Sequence, residues 1–411
     1  MIRSVVFWLH LTVAVAAGLV ILMLAATGAV LSLEETVTGL AERRYFVTVP
    51  QAADRLPADR LRPEGVALAA GLVATSLSYS SDPRAPVRVH EGQDLHALVD
   101  PYTGRVLARG PGGLERFFEG AHNWHRWFNV SGGSVRRARA VTGAVNVAFL
   151  FLLLTGPILW IPRPVTRRSL AQALLLRRGA KGAKRDFNWH QVVGIWSVLP
   201  LAVIAATGVA TSYPAVGDRV YPTVGNVVPA GAWPAESASE GAGVEREEVE
   251  GDEVEGTAIS GDARRAPDPD LRAALATAEA WAPEWRTLIL HMPRPTDPEV
   301  RVEVRGGRAG QPHRAGRLTL DAATGSVRAW ETFADDTPTR RAQQFLRYAH
   351  TGEYWGLPGQ LLAGLFSLAA ALMVWTGLSL AVRRLRRFVG LRRALRRSVR
   401  RPRAPPTSGT A

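Results

Sequence analysis

Nine histidines and no cysteine define the chemistry open to this chain of 411 residues. The missing cysteines rule out disulfides, c-type haem attachment, cysteine-ligated iron–sulfur clusters and thiol nucleophiles. Any metal chemistry must use His, Asp, Glu, Tyr or Met. The histidines follow a pattern. His10 and His190 each stand seventeen residues before a Thr-Gly pair, Thr27-Gly28 and Thr207-Gly208. His125, with His122 three residues before it, lies in an aromatic stretch from Phe117 to Trp127. His350 lies in a similar stretch from Phe345 to Trp355. Imidazole is a suitable axial ligand for haem iron. Two pairs, His10 with His190 and His125 with His350, would hold two six-coordinate b-type haems.

Each histidine also has a plainer reading, since one at a helix end can simply sit among lipid headgroups. The shared offset of His10 and His190 argues against that for this pair. His122 and His125 are three apart and share a helical face. The Trp-His-Arg-Trp context favours His125, whereas the match of Ala121-His122 with Ala349-His350 favours His122, so the choice stays open. His90, His96, His291 and His313 read as surface or strand residues.

The elements that must position these ligands are apolar helices. Ser4–Leu33, Ala140–Pro162, Phe187–Gly217 and Tyr354–Val382 contain no Asp, Glu, Lys or Arg. Each exceeds the roughly 20 residues needed to cross about 30 Å of hydrocarbon. The net charge of +14 is concentrated beside them: Arg163–Asp186 carries +7 and Arg383–Arg403 carries +11, so the remainder carries −4. This is a positive-inside pattern, with both termini and the second loop cytoplasmic. Basic residues in those places point to topology and anionic lipid rather than nucleic acid. A cleaved signal peptide fits the first apolar run poorly, because the run is too long and has no evident cleavage site. Along a helix, seventeen residues span about 25 Å, so one histidine layer belongs near each membrane face. Gly18 and Gly194 are expected to let a flat porphyrin approach the backbone, and tryptophans at the span ends to form an interfacial belt.

The chain reads as an internal duplication. Thr155-Gly156 in the second span matches Thr376-Gly377 in the fourth. Asp100-Pro101-Tyr102-Thr103-Gly104 matches Asp321-Ala322-Ala323-Thr324-Gly325, each a strand–turn–strand signal. Strands at 86–89 and 300–304 and helices at 63–72 and 269–282 precede those turns. The expected fold is a membrane α-helical bundle of four transmembrane helices with two small α+β extracytoplasmic domains. Its segments are span one at 1–34, a first outer domain at 35–115, and an approach helix with span two at 116–162. A basic loop at 163–188, span three at 189–217 and a second outer domain at 218–340 follow. An approach helix with span four at 341–383 and a basic tail at 384–411 complete the chain. Residues 235–265, rich in Glu, Gly and Ser, read as a disordered insertion.

This order of features resembles the PepSY-associated transmembrane helix family, which includes bacterial iron-regulated membrane proteins and ferric-siderophore reductases. The carriers are His10 to Thr27-Gly28, Trp124-His125-Arg126-Trp127, Thr155-Gly156 to Trp160-Ile161-Pro162-Arg163, His190 to Gly194, and Ala349-His350-Thr351-Gly352-Glu353 with Gly356-Leu357-Pro358-Gly359-Gln360. The Asp-x-x-Thr-Gly turns look like those of PepSY domains. His122 and the acidic insertion depart from the usual pattern. The resemblance implies an inner-membrane reductase that carries haem b on transmembrane histidines and passes electrons to an extracytoplasmic ferric siderophore. No Gly-rich dinucleotide fingerprint occurs, so a quinol or a cytoplasmic reductase is the expected donor. The alternatives are a non-enzymatic membrane-anchored regulator or binding module, and a haem subunit passing electrons to a partner protein.

Overall fold

The computed structural model describes residues 1–51, 54–56, 61, 76–91, 94–213, 270–293 and 297–399. The expected helix at 63–72 and the insertion at 235–265 lie outside them. Among the described residues, four helices are long and apolar enough to cross a membrane, lying within Ile2–Tyr45, Ser134–Trp160, Gly182–Ser212 and Glu353–Gly390. In chain order the helices are α1 (Ile2–Leu31), α2 (Glu34–Glu42), α3 (Gly113–Trp127), α4 (Ser134–Trp160), α5 (Arg167–Leu174), α6 (Gly182–Ser212), α7 (Leu271–Trp281), α8 (Pro338–Thr351) and α9 (Gly356–Val399). The chain divides into two compact units. One comprises Met1–Ala26, Ala144–Ala206 and Leu365–Ala411; the other comprises Thr27–Gly143 and Thr207–Gly364.

In the first unit, Ala25, Leu153, Leu201, Ala205 and Ala370 bury against one another, and Ala17, Ile21 and Val145 form a second cluster. Small residues dominate because lipid tails are as apolar as leucine, so close backbone approach drives helix association. Large apolar side chains such as Leu19, Leu154, Trp196, Leu199 and Trp375 point outward and are exposed. Asp186, only 4% exposed, joins α6 to α9 by accepting from Arg383 (2.9 Å) and Ser379 (3.1 Å).

The second unit holds one antiparallel sheet of eight strands: β1 (Ser76–Ser80), β2 (Val87–Glu91), β3 (Asp94–Val99), β4 (Val106–Arg109), β5 (Thr287–His291), β6 (Glu299–Arg305), β7 (Ala315–Asp321) and β8 (Val327–Thr332). Their order is β4-β3-β2-β1-β5-β6-β7-β8. The sequence leads one to expect two separate small domains, and here the structure differs. Each half is a four-stranded meander, and the two meanders join where β1 pairs with β5, Ser76 opposite His291 through Ser80 opposite Thr287. Edge pairing satisfies the backbone donors and acceptors that two isolated meanders would leave exposed.

Alternation sets the sheet's core face. Val300, Val302 and Val304 of β6 and Leu318 and Leu320 of β7 point inward with Leu77, Leu288 and Leu290, and α7 adds Leu271, Ala274 and Ala278. Glu299, Arg301, Glu303 and Arg317 occupy the other face. Both Asp-x-x-Thr-Gly segments form the expected turns. Asp100 Oδ1 accepts from the backbone N–H groups of Tyr102 and Thr103, and Asp321 Oδ1 from those of Ala323 and Thr324. Gly104 and Gly325 close the turns at φ of 71° and 67°, where glycine carries no Cβ penalty.

Candidate functional site

In the first unit, His10 stands on α1 and His190 on α6. His10 Nδ1 is 2.8 Å from Thr155 Oγ1 on α4. His190 Nδ1 donates to the main-chain oxygen of Met373 at 2.9 Å and approaches Thr376 Oγ1 at 3.3 Å, both on α9. Gly377 leaves room for this ring, since a Cβ there would stand 3.2 Å from His190 Cε1. A Cβ at Gly18 would meet Leu378 at 3.1 Å, so α1 and α9 approach closely there, and one at Gly194 would lie in ordinary contact with Met373 at 3.4 Å.

In the second unit, the histidines stand on short helices beside the long ones. His125 Nδ1 lies 2.8 Å from Thr27 Oγ1, and His350 Nδ1 lies 3.1 Å from Thr207 Oγ1. The two rings lie with centroids 6.4 Å apart and planes tilted by 58°. His122 points elsewhere: its Nε2 is 2.7 Å from Glu34 Oε2. The i,i+3 spacing allowed either residue to turn inward, and the carboxylate at the start of α2 decides the matter for His122.

Local structure explains where α8 puts His350. Thr337 caps the helix by accepting from Arg340 N, Pro338 occupies its first turn, and Gly352 ends it at φ 80°. Any Cβ at Gly352 would strike the carbonyl of Gly359, so the α8–α9 corner requires glycine there. On α3, Thr142 Oγ1 of α4 donates to the Arg126 carbonyl at 3.2 Å, and Phe118 is buried. Glu35 ties three segments together, accepting from Gln360 Nε2 (2.7 Å), Arg308 Nε (3.1 Å) and Ala309 N (3.3 Å).

Each pair presents two imidazoles, and among the described residues no three His, Asp or Glu side chains cluster as a metal-holding set. Two axial nitrogens are the donor set of a haem iron whose other positions a porphyrin fills. A metal–nitrogen bond of about 2 Å on each side, with the ring radius added, places two such imidazole centroids roughly 6 Å apart. The 6.4 Å between His125 and His350 fits that requirement. In all four histidines it is Nδ1 that meets protein oxygen. The remaining histidines sit apart. His313 stacks on Tyr354 at 4.8 Å, and burial followed by the nearby Arg314 lowers its pKa. His291 is on β5, where burial lowers its pKa first and Arg305 and Arg301 add to the effect against Glu303. His90 and His96 are on β2 and β3.

Reasoning from sequence alone aligned the Thr-Gly pairs without giving them a role. Their signal was present nonetheless: Thr27, Thr155, Thr207 and Thr376 recur one per long helix, each before glycine. Each is the threonine that meets a histidine. Of the tryptophans near the span ends, Trp8, Trp124, Trp189, Trp355 and Trp375 are exposed, while Trp127 and Trp160 are half-buried.

The architecture is that of a membrane protein with a helical bundle and an antiparallel sheet region. Its sequence matches the family described as the PepSY-associated TM region over residues 7–384, and the chain belongs to that family. No curated protein matches it.

Proposed function

We propose that this protein is an inner-membrane reductase that passes electrons outward to extracytoplasmic Fe(III), held as a ferric siderophore. The observation that carries this reading is the pair His125 and His350, with ring centroids 6.4 Å apart, duplicated by His10 and His190 on the paired long helices. Haem b at the two pairs would supply one-electron transfer between the membrane faces. The chain's own residues orient the four imidazoles, exclude water with the apolar helices, and offer the sheet as an outer docking surface. Each Fe(III) chelate takes up one electron and becomes Fe(II), which hard-oxygen chelators hold far more weakly. A quinol or a cytoplasmic reductase supplies the electron. The −4 remainder outside the two basic segments and the +7 and +11 within them support cytoplasmic termini and an outer sheet.

The test is spectroscopic and then kinetic. Purified protein should show a Soret band and two haems per chain by pyridine haemochrome. The His10→Ala/His190→Ala and His125→Ala/His350→Ala variants should each lose one haem. A ferric siderophore should then rapidly oxidise dithionite-reduced protein. Absence of haem, or a band unchanged in both variants, overturns the reading. Haem that a ferric siderophore does not oxidise points to a protein acceptor.

A further inference from the structure

We infer that the four recurrent threonines are positioning residues that, together with the Met373 oxygen at His190, hold Nδ1 as the protonated nitrogen of each histidine, so that Nε2 is a bare ligand before any metal arrives. This rests on the haem reading for its purpose, while its physical content concerns the chain alone. The first unit settles the proton's place. The Met373 oxygen can only accept, so His190 Nδ1 must be the donor at 2.9 Å. Thr155 Oγ1 stands 2.8 Å from both the Phe151 carbonyl and His10 Nδ1. A carbonyl can only accept, so a hydroxyl proton turned to it leaves a lone pair for His10 Nδ1–H. Thr376 donates likewise to Leu372 at 2.8 Å and turns a lone pair toward His190.

A threonine bonded to the preceding turn is a common helix feature, and alone it would mean nothing. Four such contacts to four histidines across a duplicated scaffold make a pattern. Thr27 and Thr207 hold the ligands of the second pair, and Thr155 and Thr376 those of the first. Thr155, Thr207 and Thr376 are buried, so water does not replace them as acceptors. An Nδ1–H···O bond sets the tautomer of a ligating histidine, fixes its ring orientation and raises its basicity. The glycine after each threonine belongs to the same device at Gly377, where a side chain would press on the ring of His190.

Two measurements test this. In haem-free, ¹⁵N-histidine-labelled protein, nitrogen shifts should show His10 and His190 protonated at Nδ1. Thr155→Val should shift His10 protonation toward Nε2 and Thr155→Ser should keep it at Nδ1, whereas Thr376→Val should leave His190 protonated at Nδ1 through the Met373 oxygen. In haem-loaded protein, Thr→Val at any of the four sites should weaken haem binding by about 10- to 100-fold. It should also raise the midpoint potential of that haem alone, and serine should rescue both effects. Nε2 protonation in the parent protein overturns the inference whether or not haem is present. So do valine variants with unchanged potentials in protein whose His→Ala variants lose haem, a result that leaves the reductase reading intact. Loss of all haem sites with the Nδ1–H tautomer retained would instead sink the reductase reading and leave the threonine assignment standing.

Discussion

The two histidine pairs use the same contact but mount it differently. His10 and His190 ride on α1 and α6, and their threonines sit on α4 and α9, so both partners belong to long apolar helices. His125 and His350 ride on α3 and α8, helices of 15 and 14 residues, and only their threonines sit on long helices. The first pair therefore inherits its geometry from helices whose backbone hydrogen bonds lipid cannot replace. The second depends on caps, corners and polar ties, such as Gly352, Thr337 and Glu34. Duplication thus produced one site anchored by the bundle and one anchored by local structure, and the second should be far easier to disturb by distant changes.

The sharpest way to break this comparison is Gly352→Val. It places a β-branched residue at φ 80° against the Gly359 carbonyl, which should cost on the order of 3 kcal/mol and displace His350. On the proposed haem reading, haem quantitation should show the second haem lost and the first retained; loss of both would refute the separation. A comparable but differently placed change is Leu320→Ala in the sheet core, expected to cost about 2–5 kcal/mol. It should lower the unfolding temperature of the sheet without altering the spectrum of the first pair. Leu201→Ala should cost less, because surrounding lipid is as apolar as the residue removed.

A smaller effect is expected at the Glu34–His122 contact, whose side chains are 34% and 40% exposed. His122→Ala should retain both haems and change stability by under about 1 kcal/mol. Loss of a haem would make His122 the ligand and overturn the choice of His125. The smallest effect lies in the β7–β8 turn. The Arg328 guanidinium, with the Thr324 amide and hydroxyl, holds the Asp321 carboxyl down at about 2, against its ordinary 3.8. A depressed carboxyl contributes stability that is complete above its unfolded value and is lost as pH falls through the folded one. The stability gap between parent and Asp321→Asn should therefore be constant near neutrality and close between about pH 4 and 2. Thermal melts across that range would show it; a gap that persists at pH 2 contradicts the assignment.

Much of the fold was legible because its causes are local. Charge-free runs are long enough to span a bilayer whatever they pack against. The two Asp-x-x-Thr-Gly turns form from side-chain and backbone bonds within five residues, so Asp100 and Asp321 could be read directly. The joining of the meanders could not, because β1 and β5 pair Ser76 with His291 across more than 200 residues of intervening chain. The neighbours of Gly18 and Gly194 were hidden for a related reason. A glycine on a helix announces a close approach and does not say whether a porphyrin or Leu378 makes it.

The sequence by itself determined the four long apolar runs and the charge asymmetry, since these depend on composition and spacing along one chain. Only the tertiary structure separates the surroundings of His122 and His125, because residues three apart share a helix face and take different distant partners: Glu34 for one and Thr27 for the other. It also gave the Thr-Gly pairs their meaning. A threonine's hydroxyl becomes an acceptor for imidazole only when its own turn takes the proton and a histidine from another helix arrives opposite, as His10 does at Thr155.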